Sequence, residues 1–89
     1  MTLRTTPAAN EDVASLAAYR AAAENIERFP RMYPDADDGL PGLEIRNALL
    51  DRFEYRVVYL VRETETVIVA VTHARRRLGS WHTRVTELD

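Results

Sequence analysis

The chain is predicted to adopt an α+β fold: a short N-terminal strand, one helix and a three-stranded antiparallel meander. Between residues 13 and 29, Val13, Leu16, Tyr19, Ala23, Ile26 and Phe29 recur at three- and four-residue steps, the signature of one apolar helix face. After residue 42 the pattern changes to β-runs at 43–52, 55–62 and 66–73, rich in Val, Ile and Tyr. The runs are joined by Phe53-Glu54 and by Glu63-Thr64-Glu65, connections short enough only for antiparallel neighbours.

Each element follows from its own residues. Leu3 to Thr5 suffices for a short edge strand. Thr6-Pro7 reads as N-cap and first helical position, because the hydroxyl accepts from an orphan N–H and proline has none to lose there. Glu11 and Asp12 fall near the positive end of the helix dipole, and Pro30 closes the helix. A helix over 7–29 would run ~35 Å at 1.5 Å per residue, against ~23 Å for a seven-residue strand. A break or bend near residues 20–23 is therefore expected. Residues 30–42 hold three of the four prolines, two of the three glycines and Asp35, Asp37 and Asp38. They form a loop within one domain spanning 1–89. In the middle β-run Tyr55, Val57, Tyr59 and Val61 share one face and Arg56, Val58, Leu60 and Arg62 the other, so a central strand covered on both sides is expected.

Composition narrows the chemistry. At 89 residues without cysteine the chain is one small domain with no disulfide and no thiolate metal site. A cytoplasmic location and no membrane span are the corresponding expectations, since no apolar run approaches ~18 residues. All 12 basic residues are arginine; guanidinium holds phosphate or carboxylate well but is a poor general base. Net charge is −2, yet residues 43–89 carry eight arginines against seven acids, while residues 1–42 carry four against seven. The cationic density peaks at Arg75-Arg76-Arg77, just after His73 and just before Trp81, where it steers toward one site rather than coating a surface. No glycine-rich phosphate loop, nucleophile elbow or metal-spaced His/Asp cluster is present, and no cofactor is called for.

Two segments taken together, Phe53-Glu54-Tyr55-Arg56-Val57-Val58-Tyr59 and Val67-Ile68-Val69-Ala70-Val71-Thr72-His73-Ala74-Arg75-Arg76, with the earlier Arg28-Phe29-Pro30 and Ile45-Arg46, resemble the ParE/RelE superfamily of bacterial type II toxins. The resemblance spans nearly the whole chain, and its specific part lies within 44–81. It implies a strand, a helical hairpin and a three-stranded meander, together with a cognate antitoxin that covers the toxin in a hetero-oligomer. The helical region here is short by about one helix, so a single helix or a shortened hairpin is expected. RelE-like members cut mRNA on the ribosome, whereas ParE-like members inhibit DNA gyrase. The RelE-like set relies on lysines in the first meander strand and a tyrosine near the C-terminus. This chain offers only Arg46 in that strand and Trp81 near the tyrosine's place.

Candidate site residues follow. Arg46, Arg56, Arg75, Arg76, Arg77 and Trp81 form the candidate binding set. Should the chain cleave RNA, Arg56, Arg75 and Arg77 would stabilise phosphorane charge, and His73 or His82 would move protons. Each has a competing structural role: His73 as a strand-end ring, Trp81 as a core plug, Tyr55 and Tyr59 as core, and the three aspartates as loop solvation. The reading that results is a ParE-like toxin that binds a protein target and is not an enzyme. The alternatives are a RelE-like ribosome-dependent mRNA endonuclease and a degenerate, non-toxic member acting as a binding module.

Overall fold

The computed structural model describes residues 2–6, 16–50, 55–73, 79 and 81–86. In chain order these form β1 (Thr2–Thr5), α1 (Leu16–Arg28), β2 (Glu44–Leu50), β3 (Tyr55–Val61), β4 (Glu65–His73) and α2 (His82–Thr86). The strands make one sheet in the order β1-β4-β3-β2. β2, β3 and β4 are the expected antiparallel meander, and β1 joins its far edge parallel to β4. The α+β class and the edge position of β1 are as the sequence led one to expect. The Thr6-Pro7 cap, the early acids Glu11 and Asp12, Val13, the Phe53-Glu54 turn and Arg75 to Arg77 lie wholly or partly outside the described residues.

The expected break near residues 20–23 does not occur: α1 runs unbroken from Leu16 to Arg28. Arg20-Ala21-Ala22-Ala23 has high helix propensity and no breaker. The 13 described residues cover ~20 Å, close to the length of a seven-residue strand. The buried stripe is also shifted. Ala22 and fully buried Ile26 meet the sheet, with Tyr19 and Ala23 beside them, whereas Phe29 stands 61% exposed. Ala22 lets the helix backbone approach closely, and burying Ile26 contributes about 1.5–3 kcal/mol. Termination follows from Pro30. Phe29 N–H still reaches the Asn25 carbonyl at 2.8 Å, and Met32 N–H then bonds back to the Phe29 carbonyl at 3.0 Å.

The sheet is covered on both faces, as the two apolar sides of β3 require. Val57, Tyr59 and Val61 join Ala48, Leu50, Ile68 and Val71 under α1. Val58 and Leu60 join Ile45, Val67, Val69 and Ala70 on the other face, beneath Ala36, Trp81 and Val85. α2, with Val85 buried, is an element that the periodicity did not predict. The β3–β4 ladder also shifts register between Val58 and Tyr59: Val58 pairs with Ala70 but Tyr59 with Ile68. Val69 is thus one extra residue on β4, a β-bulge. Val69 and Ala70 consequently share a face, and the alternation downstream is reversed.

Candidate functional site

The densest polar constellation among the described residues lies on the α2 side of the sheet and centres on Asp38. β3 carries Arg56 inward, paired with Leu49 on β2 and with Thr72 on β4. Its guanidinium meets Asp38 as a bidentate fork, Nη1 donating to Oδ1 at 2.7 Å and Nη2 to Oδ2 at 2.6 Å. The side chains of the pair are only 7% and 4% exposed. Arg56 Nη1 also donates to Asn47 Oδ1 at 3.3 Å. From the C-terminal segment, Gly79 N–H and Trp81 Nε1–H both donate to Asp38 Oδ2, at 2.7 and 2.9 Å. The Asp38 carboxylate therefore accepts four hydrogen bonds from three residues. Those donors, the Arg56 fork first, hold its carboxyl well below the usual carboxylate range in spite of burial.

The backbone of Asp38 completes the arrangement. Its carbonyl lies 2.6 Å from His82 Nε2; a carbonyl only accepts, so that nitrogen carries the proton. The imidazole stands edge-on to Trp81, ring centroids 4.5 Å apart, and lies against Gly79. Gly79 adopts φ +78°, and a Cβ built there would fall 2.8 Å from His82 Cε1. Glycine is required on both counts. One carboxylate, one carbonyl and one left-handed glycine thus join the 36–40 loop, the central strand and the C-terminal turn.

A second network lies along β2. Arg46 Nε donates to Glu44 at 2.9 Å and its Nη1 to the Tyr33 carbonyl at 2.6 Å. Arg31 reaches the same carboxylate at 2.9 Å. Hydrogen bonding from Arg31 first, and from Arg46, lowers the Glu44 carboxyl against burial. Beneath them, the buried Tyr59 hydroxyl donates to the Pro30 carbonyl at 2.6 Å. Burial pushes that phenol up to about 12.

The structure thus gives the sequence candidates different surroundings. Arg56 is buried and engaged by Asp38, so a phosphate would have to displace a bidentate carboxylate to reach it. Trp81 is 1% exposed, with its N–H committed to Asp38, so neither ring face is open for base stacking. His82 has its Nε2 proton on a backbone oxygen. Arg46 anchors the 31–35 backbone. His73 packs its ring edge-on against Tyr55, centroids 5.3 Å apart. Tyr59 lies in the core as expected, with Tyr55 half-buried beside it. Asp38 is the residue that the sequence reading missed: expected as loop solvation, it is 8% exposed and holds the site together, whereas Asp35 and Asp37 do face solvent. Among the described residues no group of three or more His, Cys, Asp or Glu is placed to hold a metal. A carboxylate saturated by donors is no general base. The constellation is built to clamp.

With this geometry in hand, similarity to known proteins becomes informative. The family model described as "ParE toxin of type II toxin-antitoxin system, parDE" matches residues 3–78. No curated protein matches the chain. Among solved structures, the chain is similar to one described as "Chromosomal ParDE TA system from P. aeruginosa". That likeness has a TM-score of 0.58 and 16% identity, and covers 82% of this chain and 95% of the other. At that identity it is a likeness of fold.

Proposed function

This chain belongs to the ParE toxin family of type II toxin–antitoxin systems, and from that premise we propose that it arrests growth by binding a protein target, DNA gyrase being the one expected, until a cognate antitoxin covers it. The observation that carries the binding reading over RNA cleavage is the Asp38–Arg56 fork, with both side chains under a tenth exposed. Transesterification of RNA needs a base, an acid and free cationic donors around one phosphate. Here the middle-strand arginine is spent on an internal carboxylate, and His82 and Trp81 are spent on the same aspartate. The run Arg75-Arg76-Arg77, which follows β4 in sequence, is the proposed contact for an acidic protein surface.

The test is to induce the chain alone in bacteria and to follow growth, plasmid supercoiling and transcript 5′ ends. Growth arrest with loss of negative supercoiling, relieved by co-expressing the antitoxin, is the expected result. Ribosome-phased transcript cuts that disappear in His73→Ala would overturn the binding reading. Normal growth with soluble, folded protein would overturn the toxic one.

A further inference from the structure

We propose that the turn at the C-terminal end of α1, Arg28-Phe29-Pro30-Arg31-Met32, is a docking knob for an acidic amphipathic segment of the antitoxin. Phe29 and Met32 are 61% and 53% exposed, and they lie side by side because Met32 N–H bonds to the Phe29 carbonyl at 3.0 Å. The five residues line one shallow apolar depression of about 550 Å³. Such a pair in the middle of a cationic turn is an unusual thing to leave in water, and Phe, Met and Arg are enriched at protein interfaces.

The knob is held rigid from below, which separates it from an ordinary loop tip. The Tyr59 hydroxyl holds the Pro30 carbonyl at 2.6 Å, Arg46 Nη1 holds the Tyr33 carbonyl at 2.6 Å, and Arg31 is tied to Glu44 at 2.9 Å. A partner docking here would lose little entropy in ordering the backbone.

Charge selects the occupant. Arg28, exposed, precedes the apolar pair, and Arg31, 60% exposed although paired with Glu44, stands between its two members in the chain. A second copy of this chain in a two-fold contact would bring the same patch, with its Arg28 and Arg31, against itself, apolar contact with like charge gathered around it. A segment with a carboxylate for Arg28 and an apolar side chain for the Phe29–Met32 cleft satisfies both features. The inference rests on the toxin–antitoxin reading.

Binding of the purified cognate antitoxin is measured by calorimetry. The wild type is compared with Phe29→Ser/Met32→Ser and with Arg28→Glu. Both changes fall on exposed side chains, so melting temperature and circular dichroism of the free chain should hold. Affinity should fall at least about tenfold in each variant, as for truncation of a hot spot. Wild-type affinity should weaken with added salt. Unchanged affinity in both variants, with the wild type binding tightly, overturns the knob and leaves the toxin–antitoxin reading intact. No binding by the wild type overturns both. A free chain that sediments as a dimer and becomes a monomer in Phe29→Ser/Met32→Ser, with antitoxin affinity unchanged, assigns the patch to self-association and overturns the proposal.

Discussion

Replacing Asp38 with alanine tests whether the clamp holds the fold together. The substitution leaves the Arg56 guanidinium, whose side chain is 7% exposed, with Asn47 as its remaining acceptor among the described residues. Removing one partner of a buried ion pair costs ~3–5 kcal/mol, because the other charge stays desolvated. Gly79 N–H and Trp81 Nε1–H also lose their acceptor, but groups in one network are not additive. The whole effect is therefore taken as about 4 kcal/mol. An 89-residue chain has only roughly 4–13 kcal/mol of total stability, so the variant sits at the edge of folding. Urea denaturation followed by fluorescence of Trp81, the single tryptophan, reads this directly. With m of about 1–1.5 kcal/mol/M, the midpoint should fall by roughly 3 M, or the cooperative transition should vanish. Asp38→Ala/Arg56→Met removes both charges and should recover at least half of the loss. A cost under about 1 kcal/mol for Asp38→Ala, or a double variant that merely sums the two single costs, would refute the reasoning.

Further outcomes follow from the same geometry. The Asp38 carboxyl is depressed in the folded state, chiefly by Arg56, so its contribution is present above the unfolded value of about 3.9 and is lost as pH falls from about 4 through the folded value. Acid titration of stability should show that loss in the wild type, and a smaller one in the double variant, where only more exposed carboxylates such as Glu44 remain to supply it. Gly79→Ala forces φ +78° on a residue with a Cβ and drives that atom onto His82. A cost of about 2–3 kcal/mol is expected, and adding His82→Ala should relieve the steric part in thermal melts. Tyr59→Phe frees the Pro30 carbonyl and should cost about 1 kcal/mol. Because folding raises the Tyr59 phenol to about 12, its contribution holds below the unfolded value of about 10 and is lost as pH climbs from there through about 12. Ultraviolet titration of wild type against Tyr59→Phe should lose a component near that value.

The order of elements was legible because the hydrophobic period changes once, from helical steps to alternation, and because proline and glycine crowd the join. Tyr55 to Val61 displayed both faces openly. Val67 to Val71, by contrast, is an unbroken apolar run; with no polar residue to mark parity, the bulge at Val69 leaves no trace in it. α2 is five residues long, too short to carry a period, and it is held by tertiary contact through Val85. Asp38 was misread because nothing local separates it from Asp35 and Asp37. Its partners lie 18 residues away at Arg56 and 43 away at Trp81, so only tertiary structure distinguishes the three aspartates. Arg56 and Trp81 are buried for that same reason: each was chosen for what it could offer a ligand, and each offers it to Asp38.

The bulge in β4 has a genetic consequence. Strand side chains obey a two-letter parity, and Val69 is the inserted letter that flips it. Because of that letter, Thr72 lies with Arg56 and His73 with Tyr55. A one-codon deletion anywhere from Val67 to Ala70 would leave every remaining residue hydrophobic, and composition would scarcely change. It would take out the bulge and leave an even ladder in which Thr72 still lies with Arg56 and His73 with Tyr55. The parity is upset by a gain instead: one residue added before Thr72, with no second bulge to absorb it, would send Thr72 to the face of Tyr55 and His73 to the face of Arg56, a frameshift in three dimensions.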